Sequence, residues 1–156
     1  MLRKKKRMGR HIHEICVGEK LSLTEKMEDK DLLLYLGLTN DTNPLYIQHD
    51  YVMQTPYKKP IVPTTMLTGI ISSSINKYLP GPGSHIMKLE LNFLQAIHHG
   101  ELLKFDFEVV HVDVERQIVT VQTVVCTEDD VLVIDGNIVV TPPYMTPSVH
   151  HALDNF

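Results

Sequence analysis

Hydrophobic and polar side chains alternate along the second half of the chain, which is the period of a half-buried β-strand. The alternation is clearest at 86–94 and 102–112, where every second residue is apolar and most residues between are charged. The segments 118–126 and 131–141 are rich in valine and isoleucine and flank the polar turn 127–130. We therefore expect these two segments to pair as a hairpin.

Two segments have helical spacing instead. Residues 28–38 open with acidic side chains and then become apolar, which predicts a helix that ends near Gly37. Residues 64–79 place apolar side chains at the helical interval, with Thr64 or Thr65 as the expected N-cap. The other face of this second helix carries small residues and little charge, so we expect the helix to be enclosed.

The order of these elements predicts the fold class. A short strand at 19–25 and the first helix come before the loop region 39–63, and four strands follow the second helix. Short connections between strands require antiparallel pairing, because a parallel crossover needs about a dozen residues or more. We expect an α+β fold, in which a curved, mainly antiparallel sheet wraps around one long central helix. Gly136, inside the last strand, is expected to mark a bulge or a bend.

Length and composition indicate a single globular domain. The chain has 156 residues, of which 43% are hydrophobic and 22% charged, and no apolar run approaches the ~20 residues that cross a bilayer. Because no apolar stretch follows the basic residues 1–10, we expect a solvated, disordered arm rather than a secretory signal, with Met8 as an alternative start. The domain is then expected at 11–143 and a tail at 144–156.

Charge and cysteine usage narrow the function classes. Beyond the basic arm the chain is acidic, which argues against nucleic-acid binding, because phosphate contacts need a basic face. Cys16 and Cys126 are far apart and form no C-x-x-C pair, so a reducing cytoplasm is expected. No pair of histidines has metal-ligand spacing with carboxylates nearby, so we expect no metal.

The loop region 39–63 contains the most informative polar run. Asp41 and Asn43 are followed directly by Pro44 in a segment with three further prolines. From spacing alone the run is either a capped polar turn or a functional loop on a rigid scaffold. Both interpretations stay open on the residues themselves.

A family resemblance favours the functional loop. Asp41, Asn43, Pro44 and Leu45 resemble the D-x-N-P-L-H signature of the MaoC-like (R)-specific enoyl-CoA hydratases, with Tyr46 in the place of the histidine. The resemblance extends over roughly 17–141. It includes the family's R-P-I-V, L-P-G-x-G-S and S-x-x-F…G-D patterns, which correspond to 59–62, 79–84, and 91–93 with 100–101.

The resemblance implies a hot-dog fold that hydrates trans-2-enoyl thioesters to (R)-3-hydroxyacyl thioesters or catalyses the reverse reaction. It assigns water activation to Asp41, whose pKa we expect burial to raise. Tyr46 would be a partner able to donate a hydrogen bond, but a phenol is a poor proton acceptor near neutral pH. The backbone N–H of Thr64 or Thr65 would polarise the thioester carbonyl, as helix N-termini can.

The remaining assignments concern the substrate. Asn43, Pro63 and Met66 are expected to contact it. Lys58 and Lys59 either meet the phosphates of coenzyme A or form a solvated pair in the loop. His49, three residues after Tyr46, is the nearest other histidine, and we expect it to be solvated.

Three functions remain open at this stage. The first is the hydratase, with coenzyme A or acyl carrier protein as substrate carrier and no cofactor. The second is a non-catalytic acyl-thioester-binding domain, alone or as the degenerate subunit of a heterodimer, and the third is a thioesterase. The resemblance implies a homodimer, or a heterodimer with another hot-dog chain.

Overall fold

Five antiparallel strands form one sheet in the order β1-β3-β4-β5-β2 in the computed structural model, which describes residues 8–145. The strands are β1 (Lys20–Lys26), β2 (His85–Phe93), β3 (Leu102–Asp113), β4 (Ile118–Thr127) and β5 (Leu132–Thr141). The helices are α1 (Asp29–Thr39), α2 (Pro44–Ile47), α3 (His49–Met53) and α4 (Thr64–Tyr78), and a 3-10 turn spans Ile12–Glu14. The predicted α+β fold and the β4–β5 hairpin are confirmed.

The core lies between the sheet and one face of α4. On β3, alternate residues are buried and the residues between them are exposed or half-buried, as the sequence predicts. The buried apolar residues of β3, β4 and α4 are Leu103, Phe105, Phe107, Val109, Val119, Val121, Val125, Leu67, Ile71 and Ile75. Burying a side chain of this size stabilises the fold by about 1.5–3 kcal/mol, so this layer fixes α4 on the sheet.

The far side of α4 is open. Leu67, Ile71 and Ile75 are buried against the sheet, whereas Gly69 and Asn76 on the other side are exposed. The prediction of an enclosed helix is therefore wrong for the single chain, because the sheet covers only one side of it.

Strand β2 is one edge of the sheet, and it departs from the predicted alternation. The register of pairing with β5 shifts between Ile86 and Lys88, so Met87 leaves the predicted buried face and is 59% exposed. Leu89 and Phe93 remain exposed to 39% and 38%. They lack cover because no strand lies beyond this edge among the described residues.

Of the predicted bulge or bend at Gly136, the bulge is not present. Its pairing with Leu91 of β2 and Thr123 of β4 is continuous, and the register shifts lie elsewhere. A Cβ atom at this position would come within 1.9 Å of the Glu90 carbonyl oxygen. Glycine is therefore needed for the close approach of β2 to β5.

Helix α1 has the predicted length but lies one residue further along the chain, at Asp29–Thr39 against the predicted 28–38. It therefore continues past Gly37, and it lies on the surface. None of its residues is buried, and Leu33, Leu34 and Leu38 are 69%, 73% and 85% exposed. The hydrophobic core therefore does little to hold this helix in place.

The start of the described chain is fastened to the loop that follows α4. The backbone N–H groups of Gly9 and Arg10 donate to the carbonyls of Pro82 and Pro80 at 2.8 and 3.0 Å, and Arg10 forms an ion pair with Glu19. Residues 8–10 were expected in the disordered arm, but these bonds fix their backbone. Residues 1–7 of the arm and 146–156 of the tail lie outside the described part of the chain. Within 8–145, no helix is long and apolar enough to cross a membrane.

Candidate active site

The end of α1 turns the chain so that Asp41 comes back beside the helix. Asn40 closes α1 in the left-handed conformation, with φ 53°, and its N–H donates to the Leu36 carbonyl at 2.9 Å. Asparagine adopts this conformation more readily than most residues, which explains why the helix ends here and not at Gly37.

Both carboxylate oxygens of Asp41 accept hydrogen bonds. The Tyr35 hydroxyl donates to Oδ2 at 2.7 Å, and the Asn43 backbone N–H donates to Oδ1 at 3.0 Å. These two donors hold the pKa of Asp41 below its ordinary value, and the hydroxyl of Tyr35 has a larger effect than the N–H of Asn43. The prediction of a raised pKa is therefore wrong, because donors to the charged form outweigh desolvation in a carboxylate that is only half-buried.

Asn43 organises the next turn. Its side-chain oxygen caps α2 by accepting from the Leu45 N–H at 3.0 Å, and Pro44 occupies the first position of that helix. Such a proline suits a helix start, because its missing N–H would have no partner there. The Asn43 carbonyl also accepts from the Tyr46 backbone N–H at 3.0 Å. Asn43 thus links the turn that carries Asp41 to the helix that carries Tyr46.

Tyr46 lies half-buried at the same place. Its ring meets the ring of Tyr35 edge to face, with centroids 6.3 Å apart and planes at 77°. Burial first, and then the negative charge of Asp41, raise the pKa of Tyr46. At neutral pH the phenol is therefore protonated and can donate a hydrogen bond, but it does not serve as a base.

The N-terminus of α4 adjoins this cluster through Thr65. Donation to Asp41 raises the pKa of the Tyr35 phenol, and the neighbouring Thr65 side chain lowers it by less. Pro63 is the N-cap residue, so the expected Thr64 or Thr65 cap is wrong, and no side-chain cap forms. Within residues 8–145, the N–H groups of Thr64 and Thr65 have no hydrogen-bond partner. Such free donors can stabilise negative charge on a ligand.

The structure thus brings together Asp41, Asn43, Tyr46 and Thr65. Pro63 is buried and Met66 is half-buried against the core at the start of the same helix. Thr64 is exposed, and its carbonyl accepts from the Thr68 hydroxyl at 2.9 Å.

The predicted charged contacts lie in the exposed loop between α3 and α4. The Lys58 ammonium donates to the Met53 carbonyl at 3.3 Å, and Lys59 is exposed. His49 is the exposed first residue of α3, as expected for a solvated side chain. Among the described residues, no three His, Cys, Asp or Glu side chains are grouped so that they could hold a metal ion.

Tyr35 was missed by the sequence reasoning, which read it as one apolar residue of a leucine-rich helix. The available signal was a tyrosine six residues before Asp41, on a helix whose other apolar residues are leucines. A hydroxyl at that position can reach a carboxylate only if the chain reverses after the helix, which the sequence alone does not show.

A curved antiparallel sheet wrapped around a single long helix defines a hot-dog domain. The model of the FAS1-like dehydratase domain region matches residues 17–136. The chain belongs to this family, and its resemblance to the MaoC-like hot-dog proteins is confirmed.

Individual proteins support the same assignment. The chain is 30% identical to an (R)-specific enoyl-CoA hydratase of Rhodospirillum rubrum over 133 residues, which cover 85% of this chain and 92% of that protein. It is similar in structure to the R-hydratase PhaJ1 of Pseudomonas aeruginosa, with a TM-score of 0.80, 27% identity and 88% of each chain covered.

A heteromeric assembly is also among the similar structures. The match to the ChsH1–ChsH2 complex of Mycobacterium tuberculosis has a TM-score of 0.73, and it covers 81% of this chain and 98% of that one. At 17% identity this likeness shows a shared fold alone.

Proposed function

We propose that the protein is an acyl-thioester hydro-lyase, which adds water to trans-2-enoyl-CoA to give (R)-3-hydroxyacyl-CoA or catalyses the reverse dehydration. The observation that carries the proposal is the ionised carboxylate of Asp41, held by two donors, of which Tyr35 lies beside Thr65 in the first turn of α4. The relatives named as hydratases support the substrate class.

The chemistry assigns one role to each group. Asp41 orients a water molecule and accepts its proton as the water oxygen bonds to C3 of the enoyl group. The displaced electron pair moves through C2 onto the thioester oxygen, where the N–H of Thr64 or Thr65 stabilises the enolate. The protonated Asp41 then returns that proton to C2 as the enolate collapses, which restores the thioester carbonyl and the free carboxylate. Dehydration follows the same steps in reverse.

Removal of the Asp41 carboxylate tests the proposal directly. Asp41→Asn keeps the shape of the side chain, and we expect it to lower kcat/KM for crotonyl-CoA by about 10²–10⁴-fold. Asp50→Asn, at an exposed carboxylate of α3, is the matched control and should leave the rate unchanged. Equal rates in the natural protein and in Asp41→Asn would contradict the proposal, as would an absence of hydration in the natural protein.

Tyr46 limits the expected rate. A phenol with a raised pKa donates a hydrogen bond to the water or the thioester, but it cannot relay a proton as imidazole does. We expect Tyr46→His to increase the hydration rate by about 10²-fold or more, since positioned acid–base catalysis is worth about 10²–10⁴. An already high rate that Tyr46→His does not improve would mean that another group carries the proton.

The substrate-binding assignments form part of the proposal. Asn43, Pro63 and Met66 would contact the acyl thioester at the start of α4. Because the Lys58 ammonium is engaged by a carbonyl, Lys59 is the lysine freer to meet the phosphates of coenzyme A. Lys59→Ala should then raise KM for crotonyl-CoA but not for the phosphate-free N-acetylcysteamine thioester. The same pair of assays, extended to acyl carrier protein, identifies the carrier.

A second function is favoured by Tyr46 itself. A site without the family's histidine suits a chain that binds acyl thioesters as the degenerate subunit of a heterodimer, in which a partner supplies the histidine. This alternative predicts binding without turnover by the purified chain and turnover when a second hot-dog chain co-purifies. A thioesterase would be revealed in the same assays by release of free coenzyme A.

The proposal includes association through the β2 edge and a cytoplasmic location. This edge is unpaired and exposes Leu89 and Phe93, which a second hot-dog chain would cover. Light scattering should report about twice the 17.8 kDa of one chain. Leu89→Lys should reduce that mass, whereas Val110→Lys, at an exposed position of β3, should not. The free Cys16 and Cys126 suit a reducing compartment.

A further inference from the structure

Tyr35 connects α1 to the turn that carries Asp41. Its hydroxyl donates to Asp41 Oδ2 at 2.7 Å, and its ring packs edge-on against the ring of Tyr46. The hydroxyl also lies beside the Thr65 side chain in the first turn of α4. Within residues 8–145, no other side chain donates to the Asp41 carboxylate.

The backbone of the turn is joined to the start of α4 by another route. The Asn43 side chain caps α2 by accepting from the Leu45 N–H, and the Leu45 carbonyl accepts from the Ile61 N–H, three residues before α4. That route places the backbone that carries Asp41 but leaves the side chain free to rotate. Among the described side chains, the Tyr35 hydroxyl is the donor that fixes the carboxylate itself.

We propose that Tyr35 is a positioning residue, whose hydroxyl sets the orientation of the Asp41 carboxylate. The role of this contact in turnover rests on the proposed hydro-lyase function. For a water held by Asp41 to attack C3, the thioester oxygen must at the same time reach the N–H groups of Thr64 or Thr65. The distance between the carboxylate and the helix N-terminus must therefore match the substrate.

The chemistry of the contact fits this role. Each oxygen of Asp41 accepts one hydrogen bond from the protein, so each keeps a further lone pair with which to hold water. The Tyr35 phenol stays protonated because donation to Asp41 raises its pKa, so it acts as a donor throughout the neutral range. Its loss would leave the carboxylate with one donor and free it to rotate.

The test is the Tyr35→Phe variant, which keeps the ring and removes only the hydroxyl. In the ligand-free protein, the carboxyl carbon of Asp41 is titrated by NMR. We expect its pKa to rise toward the ordinary aspartate value, because the larger of the two stabilising donors is gone. Tyr78→Phe, at an exposed tyrosine at the end of α4, is the matched control and should leave the titration unchanged.

Turnover gives the second measurement. For crotonyl-CoA hydration by Tyr35→Phe, we expect kcat to fall by about 10²-fold, as misplacement of a catalytic group can cause. KM should change little, and the acid limb of the pH profile should move to higher pH with the pKa of Asp41. A loss caused by structural damage alone would lower the rate without moving that limb, and thermal unfolding checks that the variant is folded.

The outcomes separate this inference from the proposed function. If the natural protein hydrates no enoyl thioester, the hydro-lyase proposal fails, while the NMR titration still decides whether Tyr35 holds Asp41. If Tyr35→Phe does not fold, Tyr35→Leu, which suits a helix whose other apolar residues are leucines, removes the same hydroxyl, and the pKa of Asp41 should rise in the same way. An Asp41 titration that is identical in the natural protein and the folded variant would overturn the inference.

Discussion

The sheet with α4 and the surface region from α1 to α3 are stabilised in different ways. The sheet buries alternate side chains of β3 and β4 against one face of α4. The surface region contains one fully buried side chain, Val52, and is shaped by hydrogen bonds around Asp41 and Asn43. Burial therefore determines the fold, whereas a few polar contacts determine the candidate site, so each should respond to a different kind of substitution.

The largest expected effect is on the core. Phe105→Ala removes a completely buried ring from β3, and we expect the free energy of unfolding to fall by about 3–5 kcal/mol. Leu38→Ala, at a leucine of α1 that is 85% exposed, is the matched change in the surface region. It should lower the free energy of unfolding by less than about 0.5 kcal/mol. Urea denaturation of both variants measures the difference. Similar losses in the two would contradict the comparison.

Two glycines sharpen the contrast further. Gly136→Ala would place a methyl group against the Glu90 carbonyl and separate β2 from β5, at an expected loss of about 1–3 kcal/mol. Gly37→Ala lies in α1 with no atom within 4 Å of the new methyl group, so it should stabilise the protein by about 0.5–1 kcal/mol. Thermal unfolding should move in opposite directions for the two variants.

A smaller effect is expected at Thr123, the one polar residue that is fully buried in β4. Among the described residues its hydroxyl has no hydrogen-bond partner. Thr123→Val keeps the shape of the side chain and removes the unsatisfied hydroxyl, so we expect the free energy of unfolding to rise by about 1 kcal/mol. Thr123→Ser keeps the hydroxyl and removes a methyl group, so the free energy of unfolding should fall by about 1 kcal/mol. A destabilised Thr123→Val would reveal a partner for the hydroxyl, such as a buried water.

The smallest expected effect is the contribution of Asp41 to the loss of stability at acidic pH. Because its pKa is lower in the folded protein than in the unfolded chain, Asp41 stabilises the fold above the ordinary aspartate pKa of about 3.9. That contribution is lost as the pH falls through the lower, folded pKa. Asp41→Asn should therefore lose less stability than the natural protein below about pH 4, and the two should show the same pH dependence above it. Denaturation series at several pH values measure this difference.

The same contrast explains what the sequence could predict. The strands of the core were predictable because a period of two follows directly from burying one face of each strand, as at Phe105 and Phe107. The shift at Met87 and the close approach at Gly136 were not, since both depend on how β2 meets its neighbour. The open side of α4 was misjudged because small residues indicate room for a neighbour without saying that one is present.

The candidate site was only partly predictable for a related reason. The family pattern located Asp41, Asn43, Tyr46 and Thr65 in the sequence, and the structure brings these four together. The family pattern did not locate the Tyr35 hydroxyl as a donor to Asp41. That contact depends on one residue, Asn40, in the left-handed conformation at the end of α1. The direction of the Asp41 pKa shift was wrong for the same reason, since it is set by donors and not by the apolar residues nearby.

The anchoring of Gly9 and Arg10 means that an addition before Met8 and a truncation after Arg10 should have different effects on the protein. Gly9 packs so closely on Gly81 that a Cβ atom on Gly9 would lie 2.6 Å from the carbonyl carbon of Gly81. The gap that Gly9 occupies therefore has no room for a side chain. A tag or fusion joined before Met8 leaves that gap untouched. A shortened chain that begins at His11 gives up both backbone bonds and the Arg10–Glu19 ion pair, and it frees the loop that terminates the central helix.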